Sequence, residues 1–325
     1  MIAGKSRSKY QSLIVDEVDA PAIQENGKAE SPERKDSRNT LNDLTGREWI
    51  QETKSVWFQK GLGSKHPDAQ IERQHPAPFS FQDISRLICF FTKENGQVLD
   101  PFVGVASTLK ACANTKRRGV GIELTDKWIK LGKERLKNET RDSSKQKIIR
   151  GDCRDILPTF QADKFDYIVT SPPYWGILRK DKDHKSVNER IKNGYDTNYS
   201  DDPKDLGNIP TYADFKRELE KIFQECHRVL KKKKYMCLVV SDFRHGSDFI
   251  PFHADVISCM TNVGFTLEGI NILVQNAKKL YPYGYPYAFV SNIHHQYILI
   301  FRKNGERNGG SNHNPGTIGI EFNGR

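Results

Sequence analysis

Four consecutive residues, Ser171, Pro172, Pro173 and Tyr174, follow a stretch whose apolar pattern predicts a buried strand. Two prolines can continue neither a β-ladder nor a helix, so the chain must leave the strand as a rigid turn with fixed φ angles. Such a turn presents the Ser171 hydroxyl and the Pro172 carbonyl as hydrogen-bond acceptors, and Tyr174 offers a face for stacking. A ring-bound amine held by two acceptors turns its lone pair out of conjugation and becomes nucleophilic toward an electrophilic methyl group. The four residues are therefore candidate catalytic residues for methyl transfer, a reaction that needs neither a metal ion nor a covalent intermediate.

A second segment, from Asp100 to Thr108, combines an acid, a glycine turn and the start of a helix. Gly104 lets the backbone approach a ligand where a Cβ would collide, and the helix start offers free N–H donors. Glu123 ends the next predicted strand about twenty residues later, the separation at which an acid accepts hydrogen bonds from ribose hydroxyls. An ordinary turn and an acid near a helix N-terminus explain each feature taken alone. In combination they predict a site for a nucleotide-like ligand.

These residues need a scaffold that brings several strand ends together. From Pro78 onward, helical and strand-like segments alternate, which is typical of βαβ units and a largely parallel sheet. Strands are predicted over 97–100, 119–123, 147–150, 164–170, 235–241, 266–275 and 295–302, and helices over 80–92, 106–115, 125–138, 212–230 and 252–263. Residues 231–234 are predicted to form a tight turn. Because ligands bind outside the carboxyl ends of parallel strands, we expect one crevice to collect the polar turns.

The outer parts of the chain differ from this pattern. Residues 1–40 are charged and poor in large apolar side chains, so they predict a disordered arm. Residues 41–303 form the predicted domain, in which Trp49, Trp57 and Phe58 are expected to pack on the core or to contact the ligand. Residues 304–325 are predicted to be a loose tail. Six cysteines without a C-x-x-C pair predict reduced thiols and no metal site, and the lack of a long apolar run or signal-peptide core predicts a soluble, cytoplasmic protein.

The motifs resemble those of the amino-methyltransferase family of DNA methylases, which share the class I S-adenosylmethionine-dependent fold. The resemblance spans residues 75–303 and is specific in its combination of proline turn and glycine loop. The segments that carry it are HPAPFS (75–80), VLDPFVGVAST (98–108), GIEL (121–124), VTSPPYWG (169–176), RVLKKKKYMCLVVSD (228–242) and HHQYILIFRK (294–303). It implies an α/β, Rossmann-like fold with a mostly parallel, seven-stranded sheet and helices on both faces. One departure is Ala106, which stands where the family usually has a second glycine and implies a slightly wider loop.

The resemblance also implies a role for each matching residue. The methionine half of S-adenosylmethionine would contact Phe79, Asp100, Phe102, Gly104, Ser107 and Thr108. Glu123 would bind the ribose, and Asp152 and Cys153 would flank the adenine. The proline turn would hold a base flipped out of double-stranded DNA, because a paired and stacked amine cannot be reached in line with the methyl group.

Two segments are candidate DNA-recognition insertions. A formal net charge of +10 suits binding to phosphates, although many basic proteins bind no nucleic acid. Residues 176–210 form a connection of unusual length. Its predicted phosphate contacts are Arg179, Lys180, Lys185 and Arg190. The alternative is that this segment is a solvated loop without DNA contacts. Residues 276–292 interleave cations with rings that could stack on bases, and a surface turn packed on its own rings is the alternative. The predicted DNA contacts of this second segment are Lys278, Lys279, Tyr283 and Tyr285.

The first residue of the proline turn bears on the target base. Ser171 resembles the cytosine N4 enzymes more than the adenine N6 enzymes, which commonly have Asp or Asn there. The resemblance therefore implies methylation of cytosine N4 within a restriction–modification or related system, with a cognate endonuclease as a candidate partner. Adenine N6 is the first alternative, since relatives with Ser can methylate adenine. An RNA or protein amide methyltransferase is the second, and an inactive DNA-binding module is disfavoured because the cofactor residues and the proline turn are all present.

Overall fold

The computed structural model describes residues 35–59, 66, 70–71, 74–75, 80–176, 200, 202–276 and 278–305. Most of the predicted arm and most of the predicted tail lie outside the described residues. The strands are β1 (Val56–Phe58), β2 (Gln97–Asp100), β3 (Arg118–Glu123), β4 (Gln146–Arg150), β5 (Phe165–Thr170), β6 (Leu230–Val240), β7 (Phe243–His245), β8 (Asp248–Ile250), β9 (Phe265–Val274) and β10 (His295–Lys303). The helices are α1 (Gly46–Glu52), α2 (Phe81–Phe91), α3 (Ser107–Asn114), α4 (Asp126–Glu139), α5 (Cys153–Ile156), α6 (Tyr212–Val229) and α7 (Phe252–Asn262).

Eight of these strands form one sheet in the order β1-β9-β10-β6-β5-β2-β3-β4, and β7 and β8 form a separate hairpin. Strand β10 is antiparallel to β9 and β6, and the other neighbouring strands of the sheet are parallel. The predicted α/β class is confirmed, with eight strands in place of seven because β1 pairs with β9 from Val56↔Ile272 onward. Seven strands therefore end at the same edge of the sheet, where β10 begins.

The burial pattern of the central strands shows why helices cover both faces of the sheet. Along β6, Met236, Leu238 and Val240 belong to one hydrophobic cluster, whereas Cys237 and Val239 belong to another. Side chains alternate between the two faces of a strand, so the two clusters lie on opposite faces. Helices α6 and α7 cover the first face, and helices α2 and α3 cover the second. The two-sided burial explains why the central strands are continuous apolar runs in the sequence.

The covering helices are held by apolar stripes at helical spacing. In α2 the buried residues include Ile84, Leu87, Ile88 and Phe91, which recur every three or four positions. Each such side chain stabilises the fold by about 1.5–3 kcal/mol when it leaves water. None of the helices in the described ranges is both long enough and apolar enough to cross a membrane.

The lysine run before the apolar part of β6 is not the tight turn that the sequence predicts. Strand β6 begins at Leu230, and its register against β5 shifts over the lysines. Lys233 takes the left-handed conformation with a φ of 64°, and Lys231 pairs with Asp166 at 2.7 Å. The run is therefore an irregular start of the strand, because an ion pair to the neighbouring strand replaces the apolar contacts that its side chains cannot make.

Of the three aromatic residues predicted to pack before the first predicted helix, Trp49 and Trp57 pack on the domain, whereas Phe58 is 60% exposed. Trp57 is buried, and the Arg86 guanidinium of α2 lies 3.6 Å from its ring centroid. Trp49 contacts Phe90 of the same helix, with ring centroids 4.8 Å apart. Of the two predicted roles for this segment, the structure therefore shows packing on the core.

Candidate active site

Asp100, at the end of β2, joins three parts of the site. Its carboxylate accepts hydrogen bonds from the Phe102 backbone N–H (3.0 Å), the Thr108 hydroxyl (2.5 Å) and the Thr170 hydroxyl (2.6 Å). Burial raises the pKa of this carboxyl to about 6, against the opposing effect of the three hydrogen bonds. Asp100 therefore ties the glycine turn to the first turn of α3 and to the end of β5.

Glu123, at the end of β3, holds the turns on either side of the site. One carboxylate oxygen accepts from the Gly104 N–H at 3.0 Å and the other from the Thr125 N–H at 2.8 Å. The residue is only 9% exposed, and this burial raises the pKa of its carboxyl to about 7 despite the two backbone donors. The Thr125 hydroxyl also donates to this carboxylate, which keeps a further lone pair with which it can accept a hydrogen bond from a hydroxyl group of a ligand.

The glycine turn has left-handed backbone at two positions. Gly104 has a φ of 51°, and a Cβ there would lie 3.0 Å from His75 Nε2, so glycine lets the backbone approach the site. Ala106 has a φ of 63°, a conformation that costs an L-residue about 1–2 kcal/mol. Its buried methyl group faces Gly132 of α4, where an added Cβ would lie 3.2 Å away. The absence of a side chain at Gly132 thus makes room for the alanine that replaces the family's second glycine.

A cleft of about 700 Å³, part of which is open to solvent, lies at the carboxyl ends of β4, β3, β2 and β5. The predicted site residues that line it are Phe102, Gly104, Glu123, Asp152, Cys153, Ser171, Pro172 and Pro173. The structure thus brings the glycine turn, the acid of β3 and the proline turn to one cleft. Asp100, Ser107 and Thr108, predicted as cofactor contacts, are buried and do not line the cleft. The Thr108 hydroxyl donates to Asp100, and the Ser107 hydroxyl accepts from the Arg135 guanidinium at 2.8 Å.

Asp152 and Cys153 form the end of the cleft beside β4. The Asp152 carboxylate pairs with the Arg154 guanidinium at 2.6 Å and accepts from the Arg154 backbone N–H at 2.9 Å. The same guanidinium donates to the Lys204 carbonyl at 2.7 Å and to Glu218 at 3.1 Å. Burial raises the pKa of the Cys153 thiol, so the thiol borders the cleft as a neutral, apolar group. Arg154 therefore connects this end of the cleft to the chain that precedes α6.

The residues just before α6 close the same end of the cleft. Asp205 and Leu206 are buried and line it. The Trp175 indole N–H, next to the proline turn, donates to the Ile209 carbonyl at 2.8 Å. The sequence places all of 176–210 in a DNA-recognition insertion. The last residues of this range instead form part of the cleft wall, because the apolar side chain of Leu206 is buried there.

Tyr174 is the residue of the proline turn that does not line the cleft. Its ring is buried and packs against Phe243 and Phe252, with centroids 6.0 Å and 5.6 Å away. Its hydroxyl oxygen accepts from the Ser241 backbone N–H at 2.9 Å, and burial raises the pKa of the phenol to about 12. The ring therefore offers no open face for stacking, contrary to the sequence-based prediction, because aromatic side chains enclose it.

Two aromatic residues of the cleft carry no prediction from the sequence. His75 and Trp128 both line it, and their rings meet edge to face with centroids 4.9 Å apart. His75 opens the first of the family motifs, so a signal for it was present. Trp128 is an apolar residue of an amphipathic helix, and its sequence position alone does not distinguish a core residue from a cleft residue.

Several predicted site residues lie outside the described residues, namely Phe79, Arg179, Lys180, Lys185 and Arg190. The other predicted DNA contacts, Lys278, Lys279, Tyr283 and Tyr285, are exposed in the segment between β9 and β10. That segment starts and ends at the edge of the sheet where Ser171 lies, and its residues do not line the cleft.

The sheet is mostly parallel with one antiparallel strand, and the cleft is built from a glycine turn, an acid and a proline turn. Together these features define a class I methyltransferase fold. The DNA methylase family model of the N6/N4 type matches residues 6–134 and 165–318, well over half of the chain. The chain belongs to this family of DNA methylases, whose cofactor is S-adenosylmethionine.

The relatives match over limited lengths. The type II methyltransferase M.HpaI of Haemophilus parainfluenzae is 30% identical over 129 residues, which are 39% of this chain and 38% of that protein. The orphan methyltransferase M.BamHII of Bacillus amyloliquefaciens is 35% identical over 84 residues, 26% of this chain and 32% of that protein. The chain thus spans about a third of the length of these two relatives.

Two solved structures match parts of the chain. TrmN of Thermus thermophilus is 15% identical with a TM-score of 0.40, over 69% of this chain and 48% of that chain. A DNA modification methylase of Thermus thermophilus, TTHA0409, complexed with S-adenosylmethionine, is 26% identical with a TM-score of 0.33, over 50% of this chain and 57% of that chain.

The cleft lining fits S-adenosylmethionine. At Gly104 an added Cβ would meet His75, which also lines the cleft, so glycine keeps this part of the wall open, and Glu123 has an oriented carboxylate that would accept hydrogen bonds from the ribose hydroxyls. Phe102, Ile122 and Leu124 supply apolar surface for a planar ring. The described wall therefore has the polar and apolar parts that the nucleoside half of the cofactor requires.

Proposed function

We propose that this protein is a site-specific DNA methyltransferase that methylates the exocyclic N4 of cytosine in double-stranded DNA after base flipping. The observation that carries the proposal is that Ser171 and Pro172 line the same cleft as Gly104 and Glu123. An acceptor for an amine then lies beside the site for the methyl donor, and such placement supplies much of the rate of a bimolecular reaction. We also propose a role in a restriction–modification or related system, with a cognate endonuclease as partner.

In the proposed mechanism, the Ser171 hydroxyl oxygen and the Pro172 carbonyl accept hydrogen bonds from the amine of the flipped base. S-adenosylmethionine, when bound, supplies an electrophilic methyl group. Pro172 and Pro173 fix the backbone of the turn, so the acceptors do not reorient during the reaction. Flipping is required because the amine of a stacked and paired base cannot reach the cleft.

The chemistry of Ser171 supports cytosine as the target. A neutral hydroxyl is a weaker acceptor than a carboxylate, and serine at this position resembles the cytosine N4 enzymes. Adenine N6 is the second candidate, because the same pair of acceptors also fits an adenine amine. Methylation of RNA or of a protein amide is the third.

Transfer of tritiated methyl groups to duplex DNA, RNA and protein tests the proposal. We expect label in DNA, and N4-methylcytosine after digestion to nucleosides. N6-methyladenine would overturn the assigned base, and label confined to RNA or protein would overturn the assigned substrate. Single-molecule sequencing of DNA from an expressing host would give the sequence context of the methylated base.

The segment between β9 and β10 supports the proposed DNA contact. Tyr285, Tyr287 and Phe289 are 80%, 94% and 92% exposed, so their rings add little to the stability of the fold. The Asn292 side chain bonds both the N–H and the carbonyl of Tyr281, which holds the base of the segment in place. Adjacent exposed rings on a fixed base are typical of a surface that stacks on bases or on a partner.

We therefore expect the double variant Tyr285→Ala/Tyr287→Ala to raise the DNA dissociation constant about 10- to 100-fold, since one stacked ring contributes about 1–3 kcal/mol. The double variant Lys278→Ala/Lys279→Ala should lower the slope of log affinity against log salt concentration by the amount expected for about two phosphate contacts. Fluorescence anisotropy at several salt concentrations measures both effects, with Lys133→Ala on α4 as the matched surface control. Wild-type DNA affinity and salt slope in both double variants would contradict the proposed contact.

Glu123 predicts a pH dependence of cofactor binding. Its carboxyl has a raised pKa of about 7, and ribose hydroxyls donate to the ionised form. Protonation as the pH falls through this value removes the acceptor, so the affinity for S-adenosylmethionine should be about tenfold weaker at pH 6 than at pH 8. Asp100, with a pKa of about 6, is half protonated at pH 6 and mostly ionised above pH 7, so the effect of Glu123 is separated between pH 7 and pH 8, where its ionisation should change the affinity about twofold. Calorimetric titration should show this slope in the wild type and a flat profile in Glu123→Gln, and the same slope in both would refute the assignment.

A further inference from the structure

The hairpin of β7 and β8 stands beside the proline turn at the carboxyl edge of the main sheet. Strand β7 begins at the third residue after the end of β6, and the hairpin forms a separate two-stranded sheet. Its first residue, Phe243, is buried against Tyr174, with ring centroids 6.0 Å apart. The ring centroid of His245 lies 4.5 Å from that of Trp175, the residue that follows the turn. The hairpin is therefore fixed next to the proposed reaction centre.

The two faces of the hairpin have different surroundings, because neighbouring residues of a strand point to opposite sides. Phe243 is paired with Ile250 across the strands, and both pack on the hydrophobic core. Arg244 is paired with Phe249 and belongs to the opposite face. Phe249 is 44% exposed, and the Arg244 guanidinium lies 5.5 Å from the centroid of its ring. The face away from the core thus carries a cation beside an aromatic ring.

A two-residue turn forms the tip of the hairpin. Gly246, its first residue, has a φ of 60°, which glycine adopts readily in the tight turns that connect twisted strands. A Cβ added to this glycine would meet no described atom within 4 Å, so the tip borders open space. The tight turn limits the motion of the two strands, and Arg244 is therefore held on a short, well-defined element.

The contacts within the hairpin leave much of the hydrogen-bonding capacity of Arg244 unused. A guanidinium has five N–H donors, and the Ser247 carbonyl accepts from Nη1 at 3.3 Å. Among the described residues, the buried Nε has no hydrogen-bond partner, and no carboxylate forms an ion pair with this arginine. The acid of the hairpin, Asp248, is paired with His245 on the other face. Because a buried donor without an acceptor costs free energy, the side chain gains from an acceptor outside the chain.

We propose that the β7–β8 hairpin contacts double-stranded DNA and that Arg244 binds a backbone phosphate next to the flipped base. The inference rests on the proposed function, in which the target base enters the cleft beside Ser171. A phosphate offers several anionic oxygens to the planar donors of an arginine. The ring of Phe249 supports the guanidinium from one side. The contact positions the duplex without reading its sequence, and it is separate from the two predicted DNA-recognition insertions.

Fluorescence anisotropy with duplex DNA compares Arg244→Ala with the wild type at several salt concentrations. We expect about a fivefold loss of affinity and a decrease of about 0.9 in the magnitude of the slope of log affinity against log salt concentration, the amount for one phosphate contact. Arg244→Lys should keep most of the slope because it keeps the charge, and it should lose less affinity than Arg244→Ala. Calorimetric binding of S-adenosylmethionine should be unchanged in both variants, which would show that the fold is intact.

The matched control is Arg118→Ala. Arg118 is exposed at the first position of β3, so it lies at the amino end of the parallel strands, on the opposite edge of the sheet from the hairpin. Its replacement removes the same charge far from the proposed contact and should change neither the DNA affinity nor the salt slope.

Uncharged phosphates in the DNA separate a direct contact from a general loss of charge. A methylphosphonate in place of one phosphate beside the target base should weaken binding by the wild type about as much as Arg244→Ala does. The same DNA should cause no further loss in Arg244→Ala, because both changes remove one interaction. Additive losses at every phosphate beside the target base, or wild-type affinity and slope in Arg244→Ala, would overturn the inference.

The behaviour of the wild type keeps the inference distinct from the proposed function. Methylation of DNA by the wild type, together with unchanged DNA binding by Arg244→Ala, would overturn the inference alone. Failure of the wild type to methylate DNA would overturn the proposed function and the inference with it.

Discussion

Replacement of Ser171 by alanine should lower the rate of methyl transfer about 100- to 1000-fold, the range seen when one preorganised polar group of an active site is lost. The affinity for S-adenosylmethionine should change by less than about twofold, because the serine is proposed to contact the amine and not the cofactor. Alanine leaves the two prolines and the shape of the turn unchanged. Single-turnover methyl transfer and calorimetric cofactor binding measure the two parameters separately.

A matched control is Ser144→Ala, which removes an exposed hydroxyl between α4 and β4. It should affect neither parameter. Equal losses of rate and of cofactor affinity in Ser171→Ala would contradict the division of roles, since they would mean that the serine supports the whole cleft.

Replacement of Asp100 by alanine should have the opposite profile. It leaves the Phe102 N–H and the hydroxyls of Thr108 and Thr170 without their acceptor in a buried site. Each buried group left unpaired costs about 1–3 kcal/mol, so we expect the free energy of unfolding to fall by about 3 kcal/mol. The glycine turn loses its anchor, and the dissociation constant for S-adenosylmethionine should rise about 100-fold. The rate at saturating cofactor should fall much less than in the serine variant.

Asp100→Asn is a milder replacement at the same position. It keeps one carbonyl oxygen as an acceptor, and the Thr108 hydroxyl can rotate to accept from the new amide. Cofactor affinity and stability, measured by titration and by denaturant unfolding, should therefore lie between those of the wild type and Asp100→Ala. Wild-type cofactor affinity in Asp100→Ala would show that the turn does not depend on this carboxylate.

Much of the fold could be predicted from the sequence because the central strands are buried on both faces. The strand over 97–100 has the predicted bounds, and the helix over 252–263 differs from them by one residue. The three-residue strand β1 and the short helix α5 could not be predicted, since neither spans enough residues to show a period. Their conformation depends on neighbours distant in the sequence.

The residues of the site that lie at the ends of strands could be predicted from the sequence. The glycine turn, Glu123 and the first three residues of the proline turn meet in the cleft as the motif positions indicate. The sequence could not show that Asp100 supports the turn from behind, nor that Tyr174 points inward. Both depend on which side of a turn faces the core, which is decided by contacts with Thr170 and Phe252 far along the chain.

The hydrogen bond from the Trp175 indole to the Ile209 carbonyl brings the two ends of a long stretch of chain together beside the reaction centre. Lengthening a loop whose ends are already joined adds little to the entropy of closing it. The part of this stretch that precedes the cleft-lining residues Lys204, Asp205 and Leu206 can therefore be exchanged for one of different length and composition while the acceptors beside it keep their positions. If this part of the chain contacts the target DNA, as the sequence predicts, a new recognition sequence could be acquired by grafting alone, with the methyl-transfer machinery left intact.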